Sequence, residues 1–255
     1  MINKYSKNLF VFLWFTMIIS PLYCQVKHTH DFVSGFVQLK EGLNLGMVFD
    51  GFQLEYRYGA HWNIKNHEIC YQPAFGAAYV FQNGALKQLM DDVQIHFTPI
   101  NVTWTMPLYD VNGHTFKGGL NFITDYNYQD YNDLHDDPLF WNSEIGFSPV
   151  IQYHFQWNDK RITVGLRNSL FGFTSHIQGY DPYFWQYTFK DVFIKPHTDL
   201  KFGSFNNYNH TNVLLGYSPN ILKKHSIIYE FDYLGLFYGN QLHRIYHNLI
   251  WRISL

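Results

Sequence analysis

Apolar and polar residues alternate with a period of two along most of this chain. The clearest segment is 141–157, where Trp141 and Phe147 share one set of positions and Asn142 and Glu144 occupy the other. Successive side chains of a β-strand point to opposite faces, so the pattern predicts a strand with one apolar face and one polar face. The same alternation recurs over residues 52–62, 69–81, 116–128, 227–233 and 248–255.

Turn-forming residues separate these alternating segments and set the expected number of strands. They lie at Asp50–Gly51, 63–66, 82–84, 110–113, 158–159, 206–209, 218–224 and Gly239–Asn240. Counting the segments between turns predicts about twelve antiparallel strands, with about ten or about fourteen as alternatives. The period breaks over residues 174–199, so the strand assignment there stays open.

Three prolines, Pro73, Pro99 and Pro149, fall inside the predicted strands. Proline lacks a backbone N–H and removes one hydrogen bond from the ladder between strands. We therefore expect each of them at a β-bulge or at the end of a strand.

The first residues predict an export signal that is cleaved after Cys24. Lys4 and Lys7 precede an apolar run, 9–19, which is too short to span a bilayer, since a spanning helix takes ~20 residues. Lipidation of Cys24 is the alternative, and the bulky Tyr23 before it argues against lipidation.

The expected organisation is a signal peptide, 1–24, followed by a single domain, 25–255. No linker, charge run or shift in composition divides the second part. Its first stretch, 25–40, alternates less clearly and is a periplasmic tail, a lumen plug or an early strand.

Composition narrows the function classes. The chain has 18 basic and 20 acidic residues, a balance that does not favour a nucleic-acid surface. After cleavage, Cys70 is the one cysteine left, so no internal disulfide is expected. No later stretch is apolar over the ~18 residues of a transmembrane helix. The aromatic content is high, with 24 Phe, 20 Tyr and 7 Trp, and the fold has to accommodate it.

Side-chain volume indicates which face of the strands points outward. A closed barrel of this size has a narrow interior, which large apolar residues from every strand would overfill. The small, amide and singly charged residues of the other face fit that interior, so the aromatic face is expected to contact lipid. A closed barrel also satisfies every backbone hydrogen bond in hydrocarbon. A soluble, secreted β-sandwich is the alternative.

The connections between strands alternate in length. The long ones are 129–140 and 174–182, and the short ones are 63–66, 110–113 and 158–160. With both termini in the periplasm, the long connections would be external and the short ones periplasmic, as in membrane barrels.

These general features make the mature chain resemble the bacterial outer-membrane β-barrel superfamily. Its final strand, 247–255, contains Trp251, Ile253 and Leu255 and looks like the C-terminal assembly signal of that family, in which the last residue is usually Phe. The resemblance implies residence in a Gram-negative outer membrane and insertion by the barrel-assembly machinery. It implies no particular activity.

The predicted lumen face carries ionisable residues of both signs. They are Glu55, Arg57, Glu68, Asp92, Lys117, Asp125, Glu144, Arg161, Arg167, Glu230, Asp232, Arg244 and Arg252. Seven acids against six bases favour a network of ion pairs across the lumen over a strongly ion-selective pore. A polar pathway for a small solute is the alternative.

The histidines do not have the spacing of a metal site. His28 and His30 flank one residue, with Asp31 next, and His243 and His247 would lie ~13 Å apart on one strand. Neither grouping resembles a closed zinc set. We therefore predict no metal or other cofactor, and we place the histidines on the surface or in an interfacial girdle.

Ser175, His176 and Asp181 are weak candidates for a catalytic site in a long external loop. They are the residue types of acyl transfer. Neighbouring residues of a strand point apart, however, and the His-Ser-Asn signature of outer-membrane phospholipases and lipid A deacylases is missing. An ordinary polar loop is the alternative interpretation.

Two other loop groupings are candidate binding surfaces. Acidic residues offer oxygen ligands for calcium or for bridging to lipopolysaccharide, and exposed aromatic residues favour docking of a partner. The acidic set is Asp130, Asp133, Asp136 and Asp137, and the aromatic set is Tyr180, Tyr183, Phe184 and Trp185.

The sequence thus favours a non-enzymatic outer-membrane protein, either a narrow, porin-like channel or a structural subunit of an outer-membrane assembly. A lipid-modifying hydrolase or acyltransferase and a surface-loop binding protein are the alternatives. The expected partners are outer-membrane lipid and lipopolysaccharide, the barrel-assembly machinery, and other outer-membrane proteins or lipoproteins, with no nucleic acid.

Overall fold

The computed structural model describes residues 26–41, 48–82, 92–131, 139–158, 160–176, 197, 200–219, 224–239 and 241–255. The strands have these bounds: β1 Val26–Glu41, β2 Val48–Ile64, β3 His67–Tyr71, β4 Ala74–Gln82, β5 Asp92–Val111, β6 His114–Tyr131, β7 Leu139–Trp157, β8 Lys160–Asn168, β9 Phe171–His176, β10 Lys201–Ser204, β11 Tyr208–Pro219, β12 His225–Leu236 and β13 Leu242–Ser254. Over these ranges no helix is long and apolar enough to cross a membrane. The expected signal peptide, 1–24, lies outside the described residues.

Ten of these strands form a closed antiparallel ring, in the order β1, β2, β3, β5, β6, β7, β8, β11, β12, β13. The ring closes between β1 and β13, which pair from Thr29 opposite Ser254 to Glu41 opposite Leu242. In the described residues, closure gives each of the ten ring strands a neighbour on both sides, which its backbone groups can pair with. The fold is the closed all-β barrel expected from the sequence, and its ring has ten strands, the lower of the two alternatives to about twelve. Residues 26–40 of the segment that the sequence left open form most of β1.

The other three segments continue ring strands after a local break. β4 follows β3 across Gln72–Pro73, β9 follows β8 across Ser169–Leu170, and β10 precedes β11 across 205–207. The chain does not reverse at these breaks. The predicted turn at 206–209 lies at the last of these breaks, so it raised the number of strands predicted from the sequence. Asp50–Gly51 also lies within β2 and is not a turn.

The three prolines predicted from the sequence to fall inside strands all lie next to irregularities of the ladder. Pro73 separates β3 from β4, and Pro99 lies at the register shift of β5 between Phe97 and Ile100. Pro149 is in the interior of β7, in regular register with Leu120, but its other side faces the break between β8 and β9. The missing N–H therefore falls where the ladder is already interrupted.

The barrel has two different ends. One end, called the turn end, holds the start of β1 at Val26 and the last residue, Leu255. Its strands are joined by tight turns, in which Lys65, Asn112 and Asn158 adopt positive φ values of 57°, 51° and 51°. The opposite end is called the loop end. The longest connection there joins β9 to β10, across positions 177–200.

The outer face of the barrel is apolar and aromatic. On β2, Phe52 and Leu54 are 66% and 71% exposed, whereas Gln53 and Glu55, at the alternate positions, are each 5% exposed. Other exposed members of this face are Phe75, Tyr79, Ile95, Leu120, Ile151, Val164, Leu215, Ile227, Leu249 and Trp251. This is the surface that a lipid bilayer requires of a membrane barrel, and it agrees with the expected direction of the aromatic face.

The interior at the loop end departs from the polar lumen expected from the sequence. Inward-facing apolar residues pack there into two clusters, which we call the loop-end core. The first cluster is Val37, Leu39, Phe49, Ala78, Val80 and Tyr246, and the second is Tyr208, Leu234, Leu236 and Leu242. These inward aliphatic positions were not recognised from the sequence, because the large apolar residues were all assigned to the outer face.

Close approach to glycine shapes part of this core. A Cβ atom at Gly146 or Gly203 would lie 2.5 Å from the side chain of Tyr208, and one at Gly172 would lie 2.8 Å from both that ring and the backbone oxygen of Ile145. The three glycines therefore form a slot for the Tyr208 ring, whose exposure is 0%.

Candidate functional site

The ionisable residues predicted for the lumen lie on the inner side of the ring wherever their side chains are described. Eleven of them line one cavity: Glu55, Arg57, Glu68, Lys117, Asp125, Arg161, Arg167, Glu230, Asp232, Arg244 and Arg252. Glu144 is also inside and is 1% exposed. Asp92 belongs to β5, but its side chain lies outside the described part of the chain.

One histidine is held between two carboxylates on one side of the lumen. His96 Nδ1 lies 2.7 Å from Glu55 Oε2, and its Nε2 lies 2.5 Å from Asp125 Oδ1. Arg244 Nη2 donates to the other Asp125 oxygen at 3.0 Å, and Thr98 donates to Asp125 at 2.7 Å. Both ring nitrogens of His96 face acceptors, which is the hydrogen-bonding pattern of an imidazolium.

A second histidine has the same surroundings on the opposite side. His210 Nδ1 lies 2.7 Å from Glu144 Oε1, and its Nε2 lies 3.0 Å from Asp232 Oδ2. Tyr208 donates to Glu144 at 2.5 Å, and Arg167 Nη2 lies 3.5 Å from Asp232. Each histidine is thus clamped by two acids, at least one of which also meets an arginine.

Arg57 joins acids of β2 and β12. Its Nη1 and Nη2 donate to the two oxygens of Glu230 at 2.9 and 2.7 Å, and its Nε donates to Glu55. Asn248 adds a donor to Glu230 at 3.0 Å. A guanidinium that makes paired bonds of this kind fixes both the position and the orientation of its carboxylates.

These groups form a charged layer across the middle of the lumen. Its acids are Glu55, Asp125, Glu144, Glu230 and Asp232, and its bases are Arg57, His96, Arg167, His210 and Arg244. With both histidines protonated, five positive groups balance five negative ones. Buried charges persist when they are paired and hydrogen-bonded in this way.

A polar cavity of about 740 Å³ extends from the charged layer to the turn end. Its lower wall includes Lys27, Asn63, Arg161, Ser218 and Ser226, which lie within a few residues of the turns or of the start of β1. This volume is in the range of pockets that bind small molecules.

The mouth of this turn-end cavity is positively charged. Lys27 and Arg161 are exposed and form no ion pair with any residue that the structure describes. The neighbouring Lys117 and Arg252 are paired with Glu68 and Asp31. Unpaired cations in a confined space raise the local concentration of anions.

The weak catalytic candidates do not form a site in the described structure. Ser175 and His176 are consecutive residues at the end of β9, and Asp181 lies outside the described residues. Ser175 Oγ is buried and has no hydrogen-bond partner among the described groups, so it does not contact the imidazole next to it. The His176 ring instead packs against Tyr238, with ring centroids 4.8 Å apart.

The other loop candidates fall outside the described residues. This applies to the side chain of Asp130, to Asp133, Asp136 and Asp137, and to the aromatic set Tyr180, Tyr183, Phe184 and Trp185.

The structure separates the histidine groupings considered for metals. His28 and His30 face outward, where they contact Tyr58 and Tyr56 at 2.6 and 2.7 Å, whereas Asp31 faces inward and is 0% exposed. In the described part of the chain, no group of three or more His, Cys, Asp or Glu residues is arranged to hold a metal ion.

Four further residues that form ion pairs in the described part of the lumen were not selected from the sequence. They are Asp31, His61, His96 and His210, and three of them are histidines, which were expected at the surface or in a girdle. Their positions in the alternation carry the signal. His96, for example, has the same parity as Gln94, and His210 has the same parity as Asn212.

A closed antiparallel ring with an apolar outer face and a charged interior defines an integral membrane β-barrel. Known structures with this architecture include OmpT, the outer-membrane protease of Escherichia coli, with a TM-score of 0.51, 7% identity, and coverage of 90% of this chain and 96% of that one. An outer-membrane channel from Pseudomonas putida gives a TM-score of 0.41 at 8% identity, over 90% and 95% of the two chains. The translocator domain of autotransporter NalP from Neisseria meningitidis gives 0.39 at 10% identity, over 89% and 88%.

The chain therefore resembles the bacterial outer-membrane β-barrels, and this likeness concerns the fold alone. No family model matches the sequence, and a comparison with curated proteins gives no match.

Proposed function

We propose that this chain is an integral outer-membrane barrel whose lumen is a chamber for a small anionic solute, open at the turn end and blocked at the loop end. The proposal rests on the difference between the two ends of the lumen. The turn end contains a cavity of about 740 Å³, whereas the loop end is filled by a core in which Leu39, Leu234 and Leu236 are 0% exposed. The sequence favoured a narrow channel or a structural subunit of an outer-membrane assembly, and a blocked loop end argues against the through channel.

The preference for an anion rests on the charges that remain unpaired. The charged layer is balanced, so it contributes little net field to the cavity below it. Lys27 and Arg161 are exposed at the mouth without a described carboxylate partner. A carboxylate, sulfonate or phosphate group would pair with them in a partly desolvated space, where such pairs are stronger than in bulk water.

The proposal includes export and assembly. The chain would enter the outer membrane through its predicted signal peptide and the barrel-assembly machinery, with the turn end in the periplasm. Trp251 lies on the exposed outer face of the last strand, and Ile253 has the same parity. Lipopolysaccharide and neighbouring outer-membrane proteins or lipoproteins are the partners that such a surface would meet.

Conductance and anion binding test the proposal together. We expect the purified barrel to be silent in a planar bilayer and to bind a fluorescent pyrene trisulfonate. Replacing both Lys27 and Arg161 by Gln should weaken that binding at least about tenfold, since each removes one desolvated charge contact. Lys201→Gln is the matched control, because Lys201 lies at the loop end, 4.9 Å from the Tyr238 ring centre.

Either of two results would reject this function. Steady single-channel conductance of the native barrel would contradict a blocked loop end. Equal loss of binding in the Lys201 variant would show that the trisulfonate does not use the turn-end mouth.

A further inference from the structure

A thiol, an imidazole and a carboxylate meet on the wall of the turn-end cavity, below the charged layer. Cys70 Sγ lies 3.8 Å from His61 Nε2, and His61 Nδ1 lies 3.3 Å from Glu68 Oε1. Cys70 and His61 are direct cross-strand partners on β3 and β2, and each lies four residues from the tight turn at Lys65–Asn66. All three side chains line the cavity.

The position of the imidazole is fixed from several sides. Glu68 is itself held by Lys117, whose Nζ donates to Oε2 at 2.6 Å. Thr29 Oγ1 lies 3.3 Å from His61 Nε2, on the same side as the thiol. The cluster therefore has the arrangement of a nucleophile, a base and a residue that orients the base, which is the general requirement for an activated thiol.

We propose that Cys70 is a nucleophilic thiol that exchanges with small anionic disulfides entering the cavity from the turn end. His61 accepts the thiol proton, and Glu68 acts as a positioning residue for the imidazole. This site uses the cavity of the proposed function, and its thiol chemistry is independent of whether that cavity retains an anion by itself.

The exchange balances with the disulfide as the one co-reactant. The Cys70 proton moves to His61 Nε2, and the thiolate attacks one sulfur of the small disulfide. A new bond forms between the Cys70 sulfur and that sulfur while the original S–S bond breaks. The departing thiolate takes the proton from the His61 imidazolium. The products are a mixed disulfide on Cys70 and one small thiol.

Exchange fits the described groups better than acyl transfer. Thiol exchange needs a thiolate, a proton acceptor and room for the incoming disulfide, and the cavity supplies all three. Acyl transfer also needs donors aimed at an oxyanion. Among the described neighbours, Lys117 is already bound to Glu68 and Thr29 contacts His61.

The charges around the thiol favour a negatively charged disulfide. Lys27 and Arg252 line the same cavity wall as Cys70, and Lys27 is exposed without a described acidic partner. An anionic disulfide would therefore approach Cys70 faster than a neutral one of similar intrinsic reactivity.

The test measures the reaction of the folded full-length barrel with dithiobis(nitrobenzoate), an anionic disulfide that releases a coloured thiolate. An ordinary thiol with a pKa of ~8.5 reacts about 50-fold more slowly at pH ~6.5 than at pH ~8.5, because its thiolate fraction falls. We expect the Cys70 phase to slow less than about fivefold over that range. Cys70→Ser should abolish this phase, and any reaction left in that variant belongs to Cys24.

Variants separate the roles within the cluster. His61→Gln should slow the reaction at pH ~6.5 at least about tenfold and restore the steep pH profile, and Glu68→Gln should have a smaller effect. Lys27→Gln should slow the anionic probe about threefold and leave the neutral dithiodipyridine unchanged. Circular dichroism of each variant confirms that the barrel is folded.

The outcomes distinguish this site from the proposed function. A steep, ordinary pH profile in the native barrel, or a rate that His61→Gln does not alter, would overturn the nucleophilic thiol with either probe. Equal effects of Lys27→Gln on both probes would overturn the anionic preference of the substrate. Conductance and trisulfonate binding, measured on the Cys70→Ser variant, report on the proposed function alone.

Discussion

The two halves of the lumen are built by the same ring of strands and yet have different interiors. At the loop end, inward positions hold Leu39, Leu234 and Leu236, each with 0% exposure. At the turn end, the inward positions of the same strands surround a polar cavity of about 740 Å³. Alternation along a strand thus determines which residues face inward, whereas the size and polarity of each inward residue determine whether that level of the barrel is filled.

The charged layer lies between the two halves and differs from both, because it consists of buried ion pairs. Its ion pairs connect strands that are distant in the ring, as Arg57 on β2 with Glu230 on β12 illustrates. Because the layer is neutral overall, it can border an apolar core on one side and water on the other. The same type of substitution should therefore have a different cost in stability in the charged layer, in the loop-end core and beside the cavity.

The largest effect is expected in the charged layer. Arg57→Met removes the guanidinium shared by Glu55 and Glu230, and leaving buried acids without their partner costs about 3–5 kcal/mol. Arg161→Met is the control, because Arg161 lines the same cavity but is exposed. We expect it to change stability by less than about 0.5 kcal/mol. Urea unfolding in lipid vesicles measures both, and equal losses would show that the layer is not a structural element.

The second effect compares leucines of the two halves. Leu234→Ala opens a hole in the loop-end core, and truncation of a buried leucine costs about 3 kcal/mol. Leu214 is partly buried and packs against a small apolar cluster, Val33, Ile228 and Ile250. Leu214→Ala enlarges a cavity that already exists, since Leu214 also lines it. Its cost should be about 1 kcal/mol. The same unfolding measurement applies, and a larger loss at Leu214 would contradict the assignment of the packed half.

The third effect compares glycines on consecutive segments of one strand. A Cβ at Gly172 would meet the Tyr208 ring and the Ile145 oxygen at 2.8 Å, and overpacking of this kind costs about 1–3 kcal/mol. At Gly165, beside the cavity, the nearest atom would be 3.5 Å away. Gly172→Ala should therefore destabilise the barrel, whereas Gly165→Ala should be neutral within about 0.5 kcal/mol. Destabilisation of both variants to the same extent would mean that strand geometry, not packing, governs the two sites.

Alternation is a strong predictor of direction and a weak predictor of partners. The period over 141–157 correctly separates inward Asn142 and Glu144 from outward Phe147 and Ile151. It does not show that Glu144 meets His210, which is 66 positions away, because that contact depends on ring closure. The lumen charges predicted from the sequence were acids, lysines and arginines only, so His96 and His210, each held between two acids, were missed.

The number of strands was overestimated for a local physical reason. Two predicted turns mark no reversal of the chain: Asp50–Gly51 lies within β2, and 206–209 lies at the break between β10 and β11, which run in the same direction. A sequence of turn-forming residues does not distinguish a break inside a long strand from a reversal between two strands. Some strands extend beyond the alternating segment that predicted them, since β6 covers His114–Tyr131 and the alternation was recognised over 116–128.

The smallest effect is expected at two neighbouring residues of β9, one hydrogen-bonded and one not. Thr174 Oγ1 lies 2.5 Å from the Tyr238 hydroxyl, so Thr174→Val should cost about 1 kcal/mol. Ser175 Oγ is buried without a described partner, and its removal in Ser175→Ala should be neutral within about 0.5 kcal/mol. The same variant tests the hydrolase alternative, because acyl-lipid turnover that depended on Ser175 would require the hydroxyl to find a base that the described structure does not give it. If Ser175→Ala left stability unchanged but abolished lipid turnover, the reactive site of this protein would be at the loop end and not in the turn-end cavity.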